Sequence, residues 1–396
     1  MKIDRNLIRN LYKGLPEQSK EMMEKGISDI VSAKKKKGKV VVVTGSGPNV
    51  HEGVTTLIAE MITQGLIDGV TTSSAVIAHE MAGALDRVKR VDGKKIGFAQ
   101  EILPRGDVFE VTLIGQDLLN QLKQEMIIDE ILINKVLEAD GDIIIKAAGN
   151  MAYPMGLRTE MLAREIMHIA RGSGLPFEVI AGRGADPRTM LGAARSKDIP
   201  ILVTIPQLVG GGMVGLAVGD SISLTERASK VAAMMMSADV IIESAVALTQ
   251  EIHDGPFETY TGHGIWADWE GYPTYSLKGK TLIRIDTDPN LHKAWEFERN
   301  SSQVQQAIDK GLPKTKLMDI PFRMEMSGFA RLENSIPVIG DIGVIWPYMA
   351  LRLEEELNVE LNFLSCPQDI EEGRKMREWI VENVQPINKS LLHAAF

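Results

Sequence analysis

Short apolar runs alternate with segments of helical periodicity along most of the chain. The runs are Val40–Thr44, Gly69–Ser73, Asp142–Ala147, Phe177–Ala181, Ile199–Thr204, Ala238–Glu243, Thr281–Asp286 and Ile336–Ile339, and they are rich in valine and isoleucine. Runs of this length and composition predict strands buried on both faces, as in a parallel sheet. Helix-length segments lie between them: Gly53–Gln64, Ala78–Val88, Gln116–Glu138, Gly156–Arg171, Pro187–Ser196 and Leu224–Ser237. The alternation predicts βαβ units with right-handed crossovers, and therefore a three-layer α/β/α, Rossmann-like parallel sheet. An amphipathic lead-in spans Asn6–Ser32, interrupted at Gly14-Leu15-Pro16, and a last amphipathic helix is expected over Asp369–Val384.

The rhythm divides the chain into a helical lead-in (1–38), an α/β domain (39–310) and a C-terminal α/β extension packed on that domain (311–396). Within the domain, 253–280 breaks the pattern with Tyr260, Trp266, Trp269, Tyr272, Tyr275, His253, His263 and several glycines. That is long for a structureless loop, so it reads as a lid or a small excursion. In the extension, Trp346-Pro347 reads as helix packing and Glu354-Glu355-Glu356 as a solvated face.

Composition narrows the function classes. The 396 residues carry a net charge of −9, which argues against binding to nucleic acid or an anionic membrane surface. The basic run Lys34–Lys37 reads as a solvated linker before the first strand. A single cysteine, Cys366, allows neither an internal disulfide nor a cysteine-based zinc site, and fits a reducing, cytoplasmic setting. The N-terminus lacks the apolar core of a signal peptide, and no stretch approaches a membrane span.

Candidate chemistry lies where strands end. The first strand runs into Thr44-Gly45-Ser46-Gly47-Pro48-Asn49-Val50-His51-Glu52-Gly53 and then a helix. Glycines let backbone N–H groups approach a ligand, and a helix N-terminus favours an anion such as a pyrophosphate. Val50 stands where G-x-G-x-x-G has its third glycine, so a tight structural turn is the competing reading. The second strand ends in Thr71-Thr72-Ser73-Ser74, followed by His79-Glu80. The hydroxyls suit ribose or phosphate oxygens, or a helix N-cap. The His–Glu neighbours suit proton transfer, or a plain surface pair. Pro206–Asp220 is a third, glycine-rich loop. Arg284-Ile285-Asp286-Thr287-Asp288-Pro289 closes another strand with two carboxylates, which suit ribose hydroxyls, a substrate ammonium or a helix cap.

In this order the loops resemble the deoxyhypusine synthase-like NAD-binding superfamily. The archaeal-type ornithine cyclodeaminases, related to the LOR/SDH region, have a similar glycine turn ending in His-x-Gly, here His51-Glu52-Gly53. They continue with Ile-Asp, here Ile67-Asp68, and a small-residue strand end before His-Asp, here His79-Glu80. Their Val-Asp-Ile-x-Pro resembles Ile285-Asp286-Thr287-Asp288-Pro289. Deoxyhypusine synthase itself is similar at Gly47-Pro48-Asn49, Thr71–Ser74 and Ile199–Gly215. Its catalytic lysine context Ser-Trp-Gly-Lys is missing, and Ser276-Leu277-Lys278-Gly279-Lys280 only echoes it.

The resemblance implies NAD as cofactor, a small-molecule amine or amino-acid substrate and a homo-oligomer. It implies a redox-neutral lyase acting on an amine-bearing carbon of a small amino acid, in the manner of ornithine cyclodeaminase. The alternatives are aminoalkyl transfer, as in deoxyhypusine or homospermidine synthase, and a non-catalytic NAD-binding sensor or scaffold. On this chain it places the cofactor at Thr44, Gly45, Ser46, Gly47, Asn49, Thr72, Ser73, Ser74 and Asp286. It gives His51, His79 and Glu80 proton handling or ammonium binding, with Lys278, His253 and His263 as further candidates.

Overall fold

The computed structural model describes residues 1, 3–244, 277–312, 319–320 and 324–393. The lid expected at 253–280, with His253 and His263, falls almost wholly outside the described residues; only its last four residues are within them.

Six strands form one wholly parallel sheet: β1 (Val40–Thr44), β2 (Gly69–Thr72), β6 (Ile201–Val203), β7 (Val240–Ser244), β8 (Thr281–Asp286) and β9 (Ser335–Ile339). Their spatial order is β6-β2-β1-β7-β8-β9. Ranked by chain position this is 3-2-1-4-5-6, the doubly wound order whose direction reverses between β1 and β7. Every residue of β1 and β7 is buried, and alternate residues of β1 serve different cores. Val40 and Val42 pack with α2 (Glu17–Lys35), α4 (Val54–Thr63) and the helix Ile342–Leu357. Val41 and Val43 pack with α12 (Leu224–Ser237), Leu291, Met326 and Phe329. This is the three-layer α/β/α arrangement, and the period-2 split explains why its strands carry no polar face.

A second sheet interrupts the first between β2 and β6. It has three antiparallel strands in the order β4-β3-β5: β4 (Val108–Thr112), β3 (Leu85–Asp92) and β5 (Gly141–Ala147). The run Asp142–Ala147 is therefore a strand, but in this sheet and paired only with β3. The helix expected over Ala78–Val88 stops at Met81, as α5 (Ser74–Met81). Gly83 and Ala84 have positive φ and turn the chain into β3. The single helix expected over Gln116–Glu138 is two, α6 (Gln116–Glu125) and α7 (Glu130–Glu138). Asp129 starts the second by accepting a hydrogen bond from Leu132 N–H.

Phe177–Ala181 is likewise a helix, the first turns of α9 (Phe177–Gly184), entered through Pro176. Its Glu178 explains the placement. Glu178 accepts the Val203 N–H at 2.7 Å and pairs with Arg227, which also donates to the carbonyls of Val203 and Val218. Both side chains are wholly buried. An edge strand's open hydrogen-bonding groups are thus closed by side chains. The lead-in is α1 (Arg5–Lys13) and α2, broken at Gly14–Pro16 as expected, and the last helix spans Glu371–Asn383. Lys34 is not a solvated linker residue: it lies within α2 and pairs with Asp68 at 2.9 Å. Trp346 is buried within its helix. Among the described residues no helix is long and apolar enough to cross a membrane.

Removing one partner of a buried ion pair strands the other charge, at a cost of roughly 3–5 kcal/mol. Arg227→Met should lower unfolding free energy in urea by about that much, against a change within about 0.5 kcal/mol for the surface variant Lys230→Ala. A loss under 1 kcal/mol for Arg227→Met would show that the pair does not hold β6.

Candidate active site

The carboxyl ends of β2, β1 and β7 form one edge, and several of the sequence candidates meet there. Gly45 leaves β1 in an extended conformation and leads into the short helix α3 (Ser46–His51). Asn49 is wholly buried, and its amide NH2 donates to the carbonyls of Gly45 and Ser244. Its Oδ1 accepts from Ser244 Oγ at 2.7 Å, and Trp346 Nε1 donates to that same Oγ at 2.7 Å. Asn49 thus ties the turn after β1 to the end of β7 across the reversal point. Ser73 is the N-cap of α5, its Oγ accepting from Val76 N–H at 3.2 Å. Ser74 is also buried and donates to the carbonyl of Gln207, while accepting Gly211 N–H at 2.9 Å. It therefore fastens the glycine-rich loop after β6 to the end of β2. A side chain at Gly211 would strike the Ser74 backbone at 2.6 Å, which is why that position is glycine.

Among the described residues, the hydroxyls of Thr44, Thr72 and Thr204 are buried and have no hydrogen-bond partner. They stand at the ends of β1 and β2 and just after β6, three adjacent strands. A buried hydroxyl left unpaired costs about 1–3 kcal/mol. A row of three along the edge where open α/β sheets bind their ligands matches a ligand rich in oxygen acceptors, and the ribose–phosphate groups of NAD fit it. Cβ atoms added at Gly210 and Gly212 would meet nothing within 4 Å, so the facing loop leaves room.

Not all candidates converge. Asp286 ends β8, two strands from β1, where its Oδ1 accepts Asp288 N–H at 3.0 Å. Lys278 lies in the turn before β8, at the amino end of the sheet. A six-residue strand puts it roughly 20 Å from the carboxyl edge, so it does not reach this site. Glu80 is buried and accepts the N–H groups of Met190 and Leu191 at 2.8 and 3.0 Å. It caps α10 (Met190–Lys197), while His79 faces the inserted sheet. Adjacent positions on a helix point about 100° apart, so the two do not form a proton relay.

The two histidines do meet, in company that the loops did not announce. His51 at the end of α3, His79 on α5, Lys146 on β5 and Arg377 on the last helix form one electrostatic cluster. Arg377 donates to His51 Nδ1 at 3.2 Å and to the Ile145 carbonyl at 2.5 Å. Burial, then the charges of Arg377, His79 and Lys146, push His51 down to about 4. Burial also lowers His79. Both rings are therefore neutral at pH 7, and their partners fix the tautomers. Arginine has only donors, so His51 Nδ1 accepts and its proton sits on Nε2. The Ala148 carbonyl only accepts, so His79 Nδ1, 2.8 Å away, carries the proton and Nε2 keeps its lone pair. One neutral ring presents a donor and the other a base. Asp86, directly across from Lys146 on β3, accepts Gly149 N–H at 3.2 Å and is raised by burial to about 7.

Lys146, Asp86 and Arg377 escaped the sequence reading. The one signal was a lysine closing the run Ile143-Ile144-Ile145; nothing marks Arg377. Asp286, a candidate from the sequence, pairs with the buried Arg284, which also meets the buried Glu243 on β7, and that link between strands was not foreseen. No group of histidine, cysteine or carboxylate side chains suited to a metal occurs among the described residues.

A doubly wound sheet with unpartnered hydroxyls along its carboxyl edge and a basic cluster beside it defines the class of site. No family model matches the chain. Among solved structures it is similar to ArgZ, a cyanobacterial arginine dihydrolase from the ornithine–ammonia cycle, at 11% identity and a TM-score of 0.42, over 87% of this chain and 32% of that one. It is also similar to an LOR/SDH protein from Methanococcus maripaludis S2, at 13% identity and 0.42, over 87% and 72%. A third is AgrE in ternary complex with ornithine and NAD+, at 13% and 0.41, over 86% and 34%. The chain thus spans about a third of the length of ArgZ and AgrE.

Glu80 gives this region a pH signature. Its burial raises it from 4.5 to about 7 against the opposing pull of the Met190 and Leu191 N–H groups. A carboxyl raised on folding contributes stability below its unfolded value, which is lost as pH rises through the folded one. Relative to Glu80→Gln, the wild type should lose on the order of 3 kcal/mol between pH 4.5 and 8. Denaturant melts of both proteins across that range test it, and a pH-independent difference would refute it.

Proposed function

We propose that the protein is an NAD-dependent, redox-neutral lyase acting on the amine-bearing carbon of a small amino acid. The observation that supports it best is the pair His51 and His79, bonded to Arg377 and to the Ala148 carbonyl, where the carboxyl edge of the parallel sheet meets the inserted sheet. The unpartnered hydroxyls of Thr44, Thr72 and Thr204 support the cofactor assignment, as does the sequence resemblance at residues 44–53 and 71–80. In this reading Thr44, Thr72 and Thr204 hold ribose and phosphate oxygens, while Asn49, Ser73 and Ser74 keep the loops in place. When bound, NAD supplies a reversible hydride acceptor.

The protein's own work is positioning and proton transfer. His79 Nε2 takes the proton of the substrate ammonium, because a charged nitrogen cannot support loss of hydride from its carbon. The proton held on His79 Nε2 returns to the departing nitrogen, while His51 Nε2–H steadies that nitrogen by a hydrogen bond and Arg377 keeps the His51 ring in the donating tautomer. Lys146 keeps the surroundings positive, so both rings stay neutral and able to act at pH 7.

Calorimetric titration of cofactor-stripped protein with NAD should give saturable binding at micromolar levels; no binding at millimolar NAD would overturn the proposal. His79→Ala should cut ammonia release from the responsive amino acid by about 10²–10⁴-fold while leaving NAD affinity within a few-fold. Loss of NAD binding in that variant would make His79 a cofactor residue instead.

A further inference from the structure

The inserted sheet carries a cavity of about 400 Å³ on the face that bears Lys146. Its charged lining is Arg90, Arg105, Glu110 and Lys146, and Leu103 and Phe109 supply apolar wall. The volume falls within the roughly 300–1,000 Å³ of small-molecule sites. The antiparallel register explains the lining, since Arg90 faces Glu110 across β3 and β4 while Lys146 enters from β5.

Charge decides what fits. Among the described residues Glu110 is the one carboxylate lining the cavity, and it is already shared: Oε1 accepts from Arg90 Nε at 2.8 Å, and Oε2 from Lys146 at 2.6 Å. Burial raises Glu110, but the bonds from Lys146 and Arg90 outweigh that and hold it below the ordinary range, so it stays ionised. Arg105 forms no ion pair among the described residues, so three cations face one carboxylate. The neighbouring Lys94 and Asp107 neutralise each other at 2.6 Å. On the inner side His51 is neutral and Arg377 is a further cation. Among the described residues Asp86 is the other carboxyl paired across the sheet with Lys146, and burial keeps it partly protonated at neutral pH. A diamine or a cationic amino acid would add charge to an excess that is already positive. A carboxylate would relieve it, and arginine binds carboxylates with two parallel hydrogen bonds.

We propose that this cavity seats the substrate, and that it selects a small anionic carboxylate with a short methylene chain, a dicarboxylate of about five carbons best, over any diamine. One carboxylate lies on Arg105 and Arg90, the chain runs along Leu103 and Phe109, and Lys146 marks the end nearest His79. The word substrate rests on the proposed function; the binding preference does not.

The test is calorimetry on the full chain with glutarate and with cadaverine, a five-carbon pair of opposite charge, at low salt and at about 0.15 M. Glutarate should bind saturably and weaken at the higher salt, and cadaverine should not bind. Arg105→Gln, an exposed position whose folding is checked by its melting temperature, should weaken glutarate at least about tenfold. Cadaverine binding as tightly as glutarate, or an Arg105→Gln variant that binds glutarate unchanged, would overturn the proposal. Glutarate binding without NAD binding would defeat the proposed lyase and leave this inference standing. NAD binding with no glutarate binding would do the reverse.

Discussion

The architecture of the site depends on how the backbone is held at the reversal point of the sheet. The last carbonyls there, of Gly45 just after β1 and of Ser244 at the end of β7, need hydrogen-bond donors at the limit of the strand ladder. Asn49 answers that need: its amide takes the carbonyls of Gly45 and Ser244, and Ser244 Oγ closes the ring with Trp346 behind it. All of these groups are buried, where an unmet hydrogen bond is expensive. The protein satisfies its own backbone at this point and leaves the threonine hydroxyls of three strands to be satisfied by something else. In the proposed reading, a stiff turn beside unmet donors makes this a preorganised binding edge.

The inserted sheet supplies what the parallel sheet cannot. A doubly wound sheet buries both faces, so charged side chains within its strands are few and, like Glu243 and Arg284, held against each other. The insert is antiparallel, with one face open, and β3 reads Leu-Asp-Arg-Val-Lys-Arg-Val-Asp. Ionisable groups can therefore stand in the middle of its strands. Placing that charged face against the carboxyl edge brings Lys146 near the two histidines of α3 and α5. Burial keeps the histidines neutral, and the types of their partners choose the tautomers, without a carboxylate bonded to either ring.

The same contrast explains what the sequence disclosed. Val40–Thr44 and Thr281–Asp286 stand out because strands buried on both sides draw on valine, isoleucine and leucine, and both are found with the expected bounds. The three-layer fold follows from such runs. β3 is invisible by that criterion, since its alternation is mostly charged and it merges with the tail of α5. Phe177–Ala181 misleads in the opposite way: four apolar positions around Glu178 look like a strand, but Glu178 is buried to reach Arg227 and a backbone N–H. His51 and His79 were legible because they flank strand ends. Arg377 was not, because its partners are remote in sequence and no local pattern encodes them. Glu80 was legible as a residue but not in its task, which depends on α10, more than a hundred positions away.

That remoteness has a consequence for how the protein is made. His51 and Arg377 are 326 positions apart, and the helix that carries Arg377 also packs Met376 against Gly53, where the chain enters α4 with φ near +68°. On the ribosome the first strands, the glycine turn and the inserted sheet all emerge before that helix exists. At about 5–20 residues per second the wait is a matter of tens of seconds. Throughout that interval His51 has no guanidinium to fix its proton, and the Ile145 carbonyl has no donor from that side. The nascent chain can assemble its sheet early, but the acid–base geometry is set only when the C-terminal helix docks.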